Sequence, residues 1–134
     1  MVTSWIDGSF VYSTSETWLN TLRSFKNGTL RTDETGNFPP RNKDRAPMIN
    51  SPPAHHLKIS APERMFLLGD SRTNQNPVLL AFGVLMFRWH NVLARRVQAE
   101  HPDWSDEDVF QRTRRLVVAS FQVCFLIFLY FYPI

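Results

Sequence analysis

Apolar residues recur at helical spacing over most of this chain, and the stretches that break the rhythm are few and long. Residues 3–12 alternate loosely, with Trp5, Phe10 and Tyr12 among small polar residues, and read as a strand or an extended loop. Ser13 followed by Glu16 then forms a capping-box pattern. Trp18, Leu19, Leu22 and Phe25 follow at helical spacing until Asn27-Gly28 closes that helix. From about Thr29 to Arg64 the texture changes: Pro39, Pro40, Pro47, Pro52, Pro53 and Pro62 interrupt any regular element and predict a long surface loop. Asn76-Pro77 opens the strongest helix, with Asn as N-cap and Pro in the first turn, and the pattern runs to about Glu100. Phe82, Met86, Trp89, Leu93 and Val97 fall on one stripe of it, with Arg88, Arg95 and Arg96 off the stripe. His101-Pro102 ends this helix. Ser105, with Asp108 three residues on, opens another whose inner face is Val109, Phe110, Leu116 and Val117. The pattern predicts a mainly α fold with long irregular loops and no internal repeat.

From Leu116 to Ile134 the chain is almost continuously apolar, broken by Ser120 and Gln122, with Arg112, Arg114 and Arg115 on its N-terminal flank. About 20 such residues can span a bilayer, and basic flanks are common there. Yet the first half belongs to the amphipathic helix capped at Ser105, and the uninterrupted part, Val123 to Tyr132, is too short to span. A buried or foreign apolar tail is therefore the expectation, with a small membrane-anchored protein as an alternative.

Composition narrows the classes. A chain of 134 residues holds one small domain, and 43% hydrophobic residues support a buried core. Eleven Phe and four Trp are a heavy apolar load for this length, so some of that surface is expected to be hidden against further polypeptide or a partner. The net charge is +3, but the basic residues are dispersed beyond Arg95-Arg96 and Arg112 to Arg115, which excludes the dense basic stripe of a nucleic-acid binder. Cys124 is the only cysteine, so no internal disulfide forms. The N-terminus lacks a basic n-region followed by an apolar h-region, and no secretory signal is expected. The adjacent pair His55-His56 has no further ligand at metal spacing and reads as solvated loop. Asn27-Gly28-Thr29 is a glycosylation sequon.

Two clusters carry candidate chemistry. Thr3, Trp5, Asp7 and Ser9 stand at i, i+2, i+4 and i+6. In an extended backbone this spacing can gather hydroxyl, carboxylate and main-chain oxygens, the hard donors that Ca²⁺ prefers; alternating polar residues of a strand explain it equally well. The second cluster, Leu68-Gly69-Asp70-Ser71-Arg72-Thr73-Asn74-Gln75-Asn76-Pro77, delivers an arginine just before a long helix. An arginine there can stabilise developing negative charge, as in heterolysis of a peroxide O–O bond. On composition alone, an arginine that ties its loop to a carboxylate such as Asp70 is the simpler reading.

Together the clusters resemble the animal haem peroxidases. Residues Thr3 to Tyr12 resemble that family's calcium loop. Leu68-Gly69-Asp70-Ser71-Arg72, followed by Arg88-Trp89-His90-Asn91, resembles its catalytic-arginine loop and the next helix. His101-Pro102-Asp103-Trp104, residues 105–109 and the helix from Arg114 to Gln122 continue the match. Trp18, Leu22-Arg23-Ser24-Phe25 and Phe87 to Asn91 look most like the peroxidase-homology domain of dual oxidases. The resemblance covers residues 2–122, poorest in the proline-rich loop.

It implies a partial animal haem peroxidase fold over 1–122, followed by a divergent tail over 123–134. Arg72 corresponds to the distal-pocket arginine that polarises bound peroxide, and Arg72 and Gln75 lie where haem is bound. Thr3, Trp5, Asp7 and Ser9 correspond to calcium ligands, Trp5 through its backbone carbonyl. His90 is not the haem ligand in the family pattern and reads as a packed helix histidine. Gln75 and Asn76 stand where many relatives carry the Glu and Met that bond haem covalently, so the implied haem is noncovalent. The family's distal histidine and a further calcium aspartate lie upstream of the matched segment, and its proximal histidine downstream, so both the haem and calcium sites are expected to be incomplete. After Gln122 the helical sequence departs from the pattern, as intron read-through would produce. The implied parent is a membrane-anchored, hydrogen-peroxide-forming NADPH oxidase with this domain extracellular. Its partners would be peroxide, haem and the remainder of the oxidase, with membrane association through the parent or the tail. The chain alone is expected to be inactive; the alternative is a non-catalytic interaction or maturation module.

Overall fold

The computed structural model describes residues 6–44, 46 and 62–131. Among these residues four helices carry the architecture: α1 (Ser9–Tyr12), α2 (Glu16–Leu22), α3 (Pro77–Glu100) and α4 (Asp106–Phe131). Short 3₁₀ turns cover Pro62–Arg64 and Ser71–Gln75. Among the described residues there is no strand, only isolated antiparallel bridges between Arg23 and Leu30 and between Arg41 and Phe66. The long helices α3 and α4 pack on each other, and α1, α2 and the loop ends close over their shared face. Thr3, Trp5 and the His55-His56 pair lie outside the described residues.

The N-terminal stretch winds up rather than extending. Gly8 adopts φ 73, and its carbonyl accepts from the Val11 and Tyr12 N–H groups at 2.8 and 3.1 Å, closing one helical turn where a strand or loop was expected. The next cap also shifts. Ser13 sits at φ 67, outside the β region that an N-cap needs, so Ser15 takes the role and its Oγ accepts from Trp18 N–H at 3.4 Å. Helix α2 stops at Leu22, not near Phe25, because Arg23 leaves in extended conformation and turns inward.

Arg23 is a fixed point of the fold. Only 6% exposed, it pairs through Nη2 with Asp106 Oδ2 at 2.7 Å and through Nη1 with Glu107. Its guanidinium lies 4.1 Å over the Phe110 ring and 4.8 Å over Phe25. These contacts tie the turn after α2 to the first turn of α4, where Asp106, Glu107 and Asp108 already suit the positive end of the helix dipole. Gly28 completes the junction: at φ 64 its N–H donates to Asp106 Oδ1 at 2.6 Å, and a Cβ there would lie 2.6 Å from the Phe110 nitrogen.

Helix α3 begins as expected, Asn76 Oδ1 accepting from Val78 and Leu79 N–H, a cap worth about 1 kcal/mol. Its buried line runs through Gly83, Phe87, His90, Asn91, Ala94 and Val97, one position round from the anticipated stripe. The displacement comes from two polar residues that hydropathy places outward. His90 is fully buried, accepting at Nδ1 from Tyr12 Oη at 2.8 Å and donating from Nε2 to the Gly28 carbonyl at 2.9 Å. A carbonyl can only accept, which fixes this tautomer. Asn91 exchanges two hydrogen bonds with the backbone of Leu30, at 2.8 and 3.2 Å. The proline-rich segment is therefore not wholly superficial: Leu30, Pro39 and Asn42 are buried, and across its two ends Asn42 N–H donates to the Met65 carbonyl and Leu67 N–H to the Pro40 carbonyl.

Helix α4 is capped by Ser105, whose Oγ accepts from Asp108 N–H at 3.2 Å and donates to its carboxylate at 2.6 Å. Val109, Phe110, Thr113, Val117 and Phe121 form its buried line, with Leu116 half-buried. Beyond Phe121 the helix continues into solvent: Val123, Phe125, Leu126, Ile127, Leu129, Tyr130 and Phe131 are exposed, so the described part of the tail is not buried, against one of the two expectations for it. Both α3 and α4 are long and apolar enough to cross a membrane by length and composition alone, but α3 lays a face into the core.

Candidate functional site

The described half of the calcium-like cluster and the arginine loop meet in one groove of about 1020 Å³. Asp7, Ser9, Arg72 and Gln75 all line it, although more than sixty residues separate the first pair from the second along the chain. Three rings from three helices make the floor. Phe10 of α1 stacks on Phe82 of α3 at 5.6 Å and lies 5.1 Å from Phe121 of α4; Phe82 and Phe121 are 6.0 Å apart. Leu79, Met86 and Phe125 extend this apolar surface.

The turn at Gly8 positions the first cluster. Asp7 Oδ1 accepts from Ser9 N–H at 2.9 Å, so a tight turn, not a strand pleat, brings these two residues together. The oxygen-rich chemistry of Asp7 and Ser9 fits a hard cation, while Thr3 and Trp5 lie outside the described residues. Among the described residues no group of three or more His, Cys, Asp or Glu side chains is placed to hold a metal.

Backbone contacts set the arginine loop. A Cβ at Gly69 would lie 2.6 Å from the Val11 carbonyl oxygen, so the loop presses directly on α1 and only glycine permits that approach. Trp18 Nε1 donates to the Leu68 carbonyl at 3.0 Å, and Asp70 N–H donates to Phe10 O at 3.1 Å. Asp70 then caps the turn Ser71–Gln75 by accepting from Arg72 N–H at 3.0 Å. Its carboxylate also grips the side chain: Arg72 Nε lies 3.1 and 3.0 Å from its two oxygens, and Nη2 lies 2.7 Å from Oδ2. Burial raises the Asp70 carboxyl, but the Arg72 hydrogen bonds and charge outweigh it and hold it below the usual carboxylate range. The same hydrogen bonds push the exposed Arg72 upward. The loop arginine thus has the carboxylate partner that composition alone favoured, and it also faces the groove.

His90 is far from able to act as a ligand here. Both ring nitrogens are committed, and burial, opposed by the Gly28 hydrogen bond and reinforced by the Arg23 charge, pulls its ring down to about 4. Burial also pushes the Tyr12 hydroxyl well above its ordinary value. His101 stacks on Trp104 at 3.9 Å, outside the groove. Among the described residues no histidine lines the groove. The ring floor went unread in the sequence. Phe121 was legible as the next residue on the inner face of α4 after Val117; Phe10 was not, because its segment read as extended.

A model of the family described as animal haem peroxidase matches residues 1–127. The chain is 59% identical over 121 residues to the dual oxidase of Drosophila melanogaster and 52% identical over 120 residues to dual oxidase 1 of Caenorhabditis elegans. Each match covers 90% of this chain and 8% of the relative, so the chain spans under a tenth of the length of these dual oxidases. Peroxidase A from Dictyostelium discoideum superposes with a TM-score of 0.75 at 35% identity, over 89% of this chain and 23% of that one. The mostly helical architecture, the groove with its loop arginine and these similarities lead to one conclusion: the chain belongs to the animal haem peroxidase family.

Proposed function

We propose that this chain forms the arginine-bearing wall of a haem pocket in the peroxidase-homology domain of a dual-oxidase-type protein. Arg72 and Gln75 would face the haem and its peroxide, and Thr3, Trp5, Asp7 and Ser9 would contribute to a calcium site. The observation that carries this reading is the convergence of Asp7, Ser9, Arg72 and Gln75 on one apolar-floored groove. A flat apolar ring system with an anionic edge matches that chemistry: aromatic side chains beneath, an arginine and amides at the rim. Gln75 and Asn76 form neither ester nor sulfonium bonds, so haem would be held without covalent links.

Bound haem would supply the iron at which peroxide is reduced. Arg72 contributes a fixed positive charge and N–H donors where negative charge develops on oxygen. In the parent, this domain would face outward from the membrane, alongside machinery that forms hydrogen peroxide. With no groove-lining histidine among the described residues, the chain alone is proposed to lack turnover. A second reading, a non-catalytic interaction or maturation module, draws support from the grip of Asp70 on Arg72, which serves loop architecture without any haem.

Titration with ferric haem, followed by its Soret absorbance, separates the two readings. The pocket reading expects a shift that weakens in R72A and no guaiacol oxidation by the isolated chain. A Soret spectrum indifferent to Arg72 favours the interaction module. A histidine-ligated ferric centre with peroxidase turnover overturns the proposed inactivity.

A further inference from the structure

We propose that Asp70 is the positioning residue for Arg72: its carboxylate holds one edge of the guanidinium and leaves the other for the groove. This inference rests on the pocket reading above for its functional meaning, but its geometry is independent of haem. Arginine presents five N–H donors in a rigid plane. Asp70 engages the edge formed by Nε and Nη2, with contacts of 3.1, 3.0 and 2.7 Å, and Nη1 stays outside the pair. Both residues line the groove, so the pairing sets the angle at which the remaining donors meet whatever occupies it.

What separates this pair from an ordinary surface ion pair is its asymmetry. The Asp70 side chain is 12% exposed while that of Arg72 is 45% exposed, so the carboxylate is the anchored partner and the guanidinium the steered one. Three links hold the anchor. Asp70 N–H donates to Phe10 O, the Asp70 carbonyl accepts from Thr73 N–H at 3.1 Å and from the Thr73 hydroxyl, and Gly69 is pressed on Val11. Phe10 follows directly on Asp7-Gly8-Ser9. The arginine is therefore registered, through Asp70, against the same turn that carries the oxygen cluster.

The two jobs of Asp70 are separable by substitution. Asparagine caps a helical turn as well as aspartate does, so D70N keeps the bond from Arg72 N–H. It replaces one carboxylate oxygen by a donor and removes the charge, so with its remaining oxygen at the capping Oδ1 position it keeps only a neutral contact to Nε and loses the acceptor for Nη2.

The test uses nuclear magnetic resonance on the full chain labelled with ¹⁵N and ¹³C, with the Arg72 Nε–H signal assigned by R72K. The wild type is expected to show slow solvent exchange of Arg72 Nε–H. A through-hydrogen-bond coupling to the Asp70 carboxyl carbon is also expected. In D70N that exchange should quicken about tenfold, roughly the factor one charge-assisted hydrogen bond is worth, while the Val11 and Thr73 amide signals stay in place. An unchanged Arg72 signal in D70N overturns the proposal. Should D70N fail to fold, absence of the coupling in the wild type overturns it without any variant. Ferric haem titration keeps the two readings apart. Wild type that binds no haem but retains the Nε–H contact refutes the pocket reading alone. Equal haem affinity and equal Soret shift in wild type and D70N refute the role of Asp70 alone.

Discussion

Acid should unfold this protein in a window set by one buried imidazole. His90 is fully buried and neutral, its Nε2–H given to the Gly28 carbonyl and its Nδ1 taken by the Tyr12 hydroxyl. Charging it in place would set a cation beside the Arg23 guanidinium and the Phe110 ring with no carboxylate among its hydrogen-bond partners. Burial therefore holds the folded ring at about 4, against an ordinary value of 6.5. The sign follows from which state binds the proton. Between those two values the unfolded chain protonates His90 and the folded chain does not, so stability is complete above about pH 6.5 and falls as the pH drops toward 4. The gap is worth about 3 kcal/mol in all, at up to about 1.4 kcal/mol per pH unit. The carboxylates of Asp33, Asp70 and Glu107 are held below their ordinary values. Their contribution is present above the ordinary carboxylate range and disappears at lower pH still. Urea unfolding followed by circular dichroism at half-unit pH steps from 7.5 to 4.5 (about seven titrations, the span fixed by the histidine range) isolates the histidine. H90Q offers an amide N–H to Gly28 and an amide oxygen to Tyr12, and should flatten the slope in that window. A wild-type stability independent of pH there, or a slope that survives in H90Q, refutes the reasoning.

Other perturbations probe the same junction and the exposed tail. G28A places a Cβ 2.6 Å from the Phe110 nitrogen at φ 64 and should cost at least about 2 kcal/mol in chemical denaturation. G36A, at φ 74 but with nothing within 4 Å, should cost about 1 kcal/mol from backbone strain alone. R23A strips a buried cation from Asp106 and is expected to lose about 3 kcal/mol by thermal or urea unfolding. E107A should lose less than about 1 kcal/mol, because the Glu107 side chain is 57% exposed and water replaces its partner. L126K with I127K, at 63% and 52% exposure, should leave the unfolding midpoint within about 0.5 kcal/mol and reduce self-association in light scattering. A large stability loss would instead place those residues in a packed interface.

The fold class and the two long helices were legible because their signals are local. Asn76-Pro77 and Ser105 with Asp108 are start signals whose chemistry acts within one turn, and the structure honours both. The N-terminal elements were misread where a tertiary demand overrides the local pattern. Ser13 cannot cap while its φ is positive, and Arg23 cannot stay helical while Asp106 and Glu107 draw it inward. The face of α3 was off by one position because His90 and Asn91 are buried for the sake of hydrogen bonds to a turn sixty residues away, which no hydropathy pattern records. At the site, Arg72 stood out as the lone arginine of its loop, whereas its meeting with Asp7 and Ser9 in one groove is a tertiary fact that neither spacing nor resemblance gave. The period-two spacing suggested a strand, whereas the pair is joined by a turn at Gly8.

The stretch Arg88-Trp89-His90-Asn91 shows how residues outside the groove can still govern it. Successive helix positions point about 100° apart, so neighbouring side chains reach different segments. Trp89 Nε1 reaches Ser120 of α4 at 3.4 Å, His90 holds Gly28 and Tyr12, and Asn91 holds Leu30. Tyr12 closes α1, whose Phe10 carbonyl receives the Asp70 N–H, and Asp70 in turn grips Arg72. A continuous path of hydrogen bonds and one helical turn therefore runs from the Gly28 junction to the guanidinium. Each link is buried or half-buried except the last. A charged side chain is held more precisely when the atoms that support it are removed from water, because a displaced buried donor or acceptor finds no substitute partner. By that argument the histidine contributes to the site as scaffold, not as ligand. Its low proton affinity follows from the burial that scaffold requires.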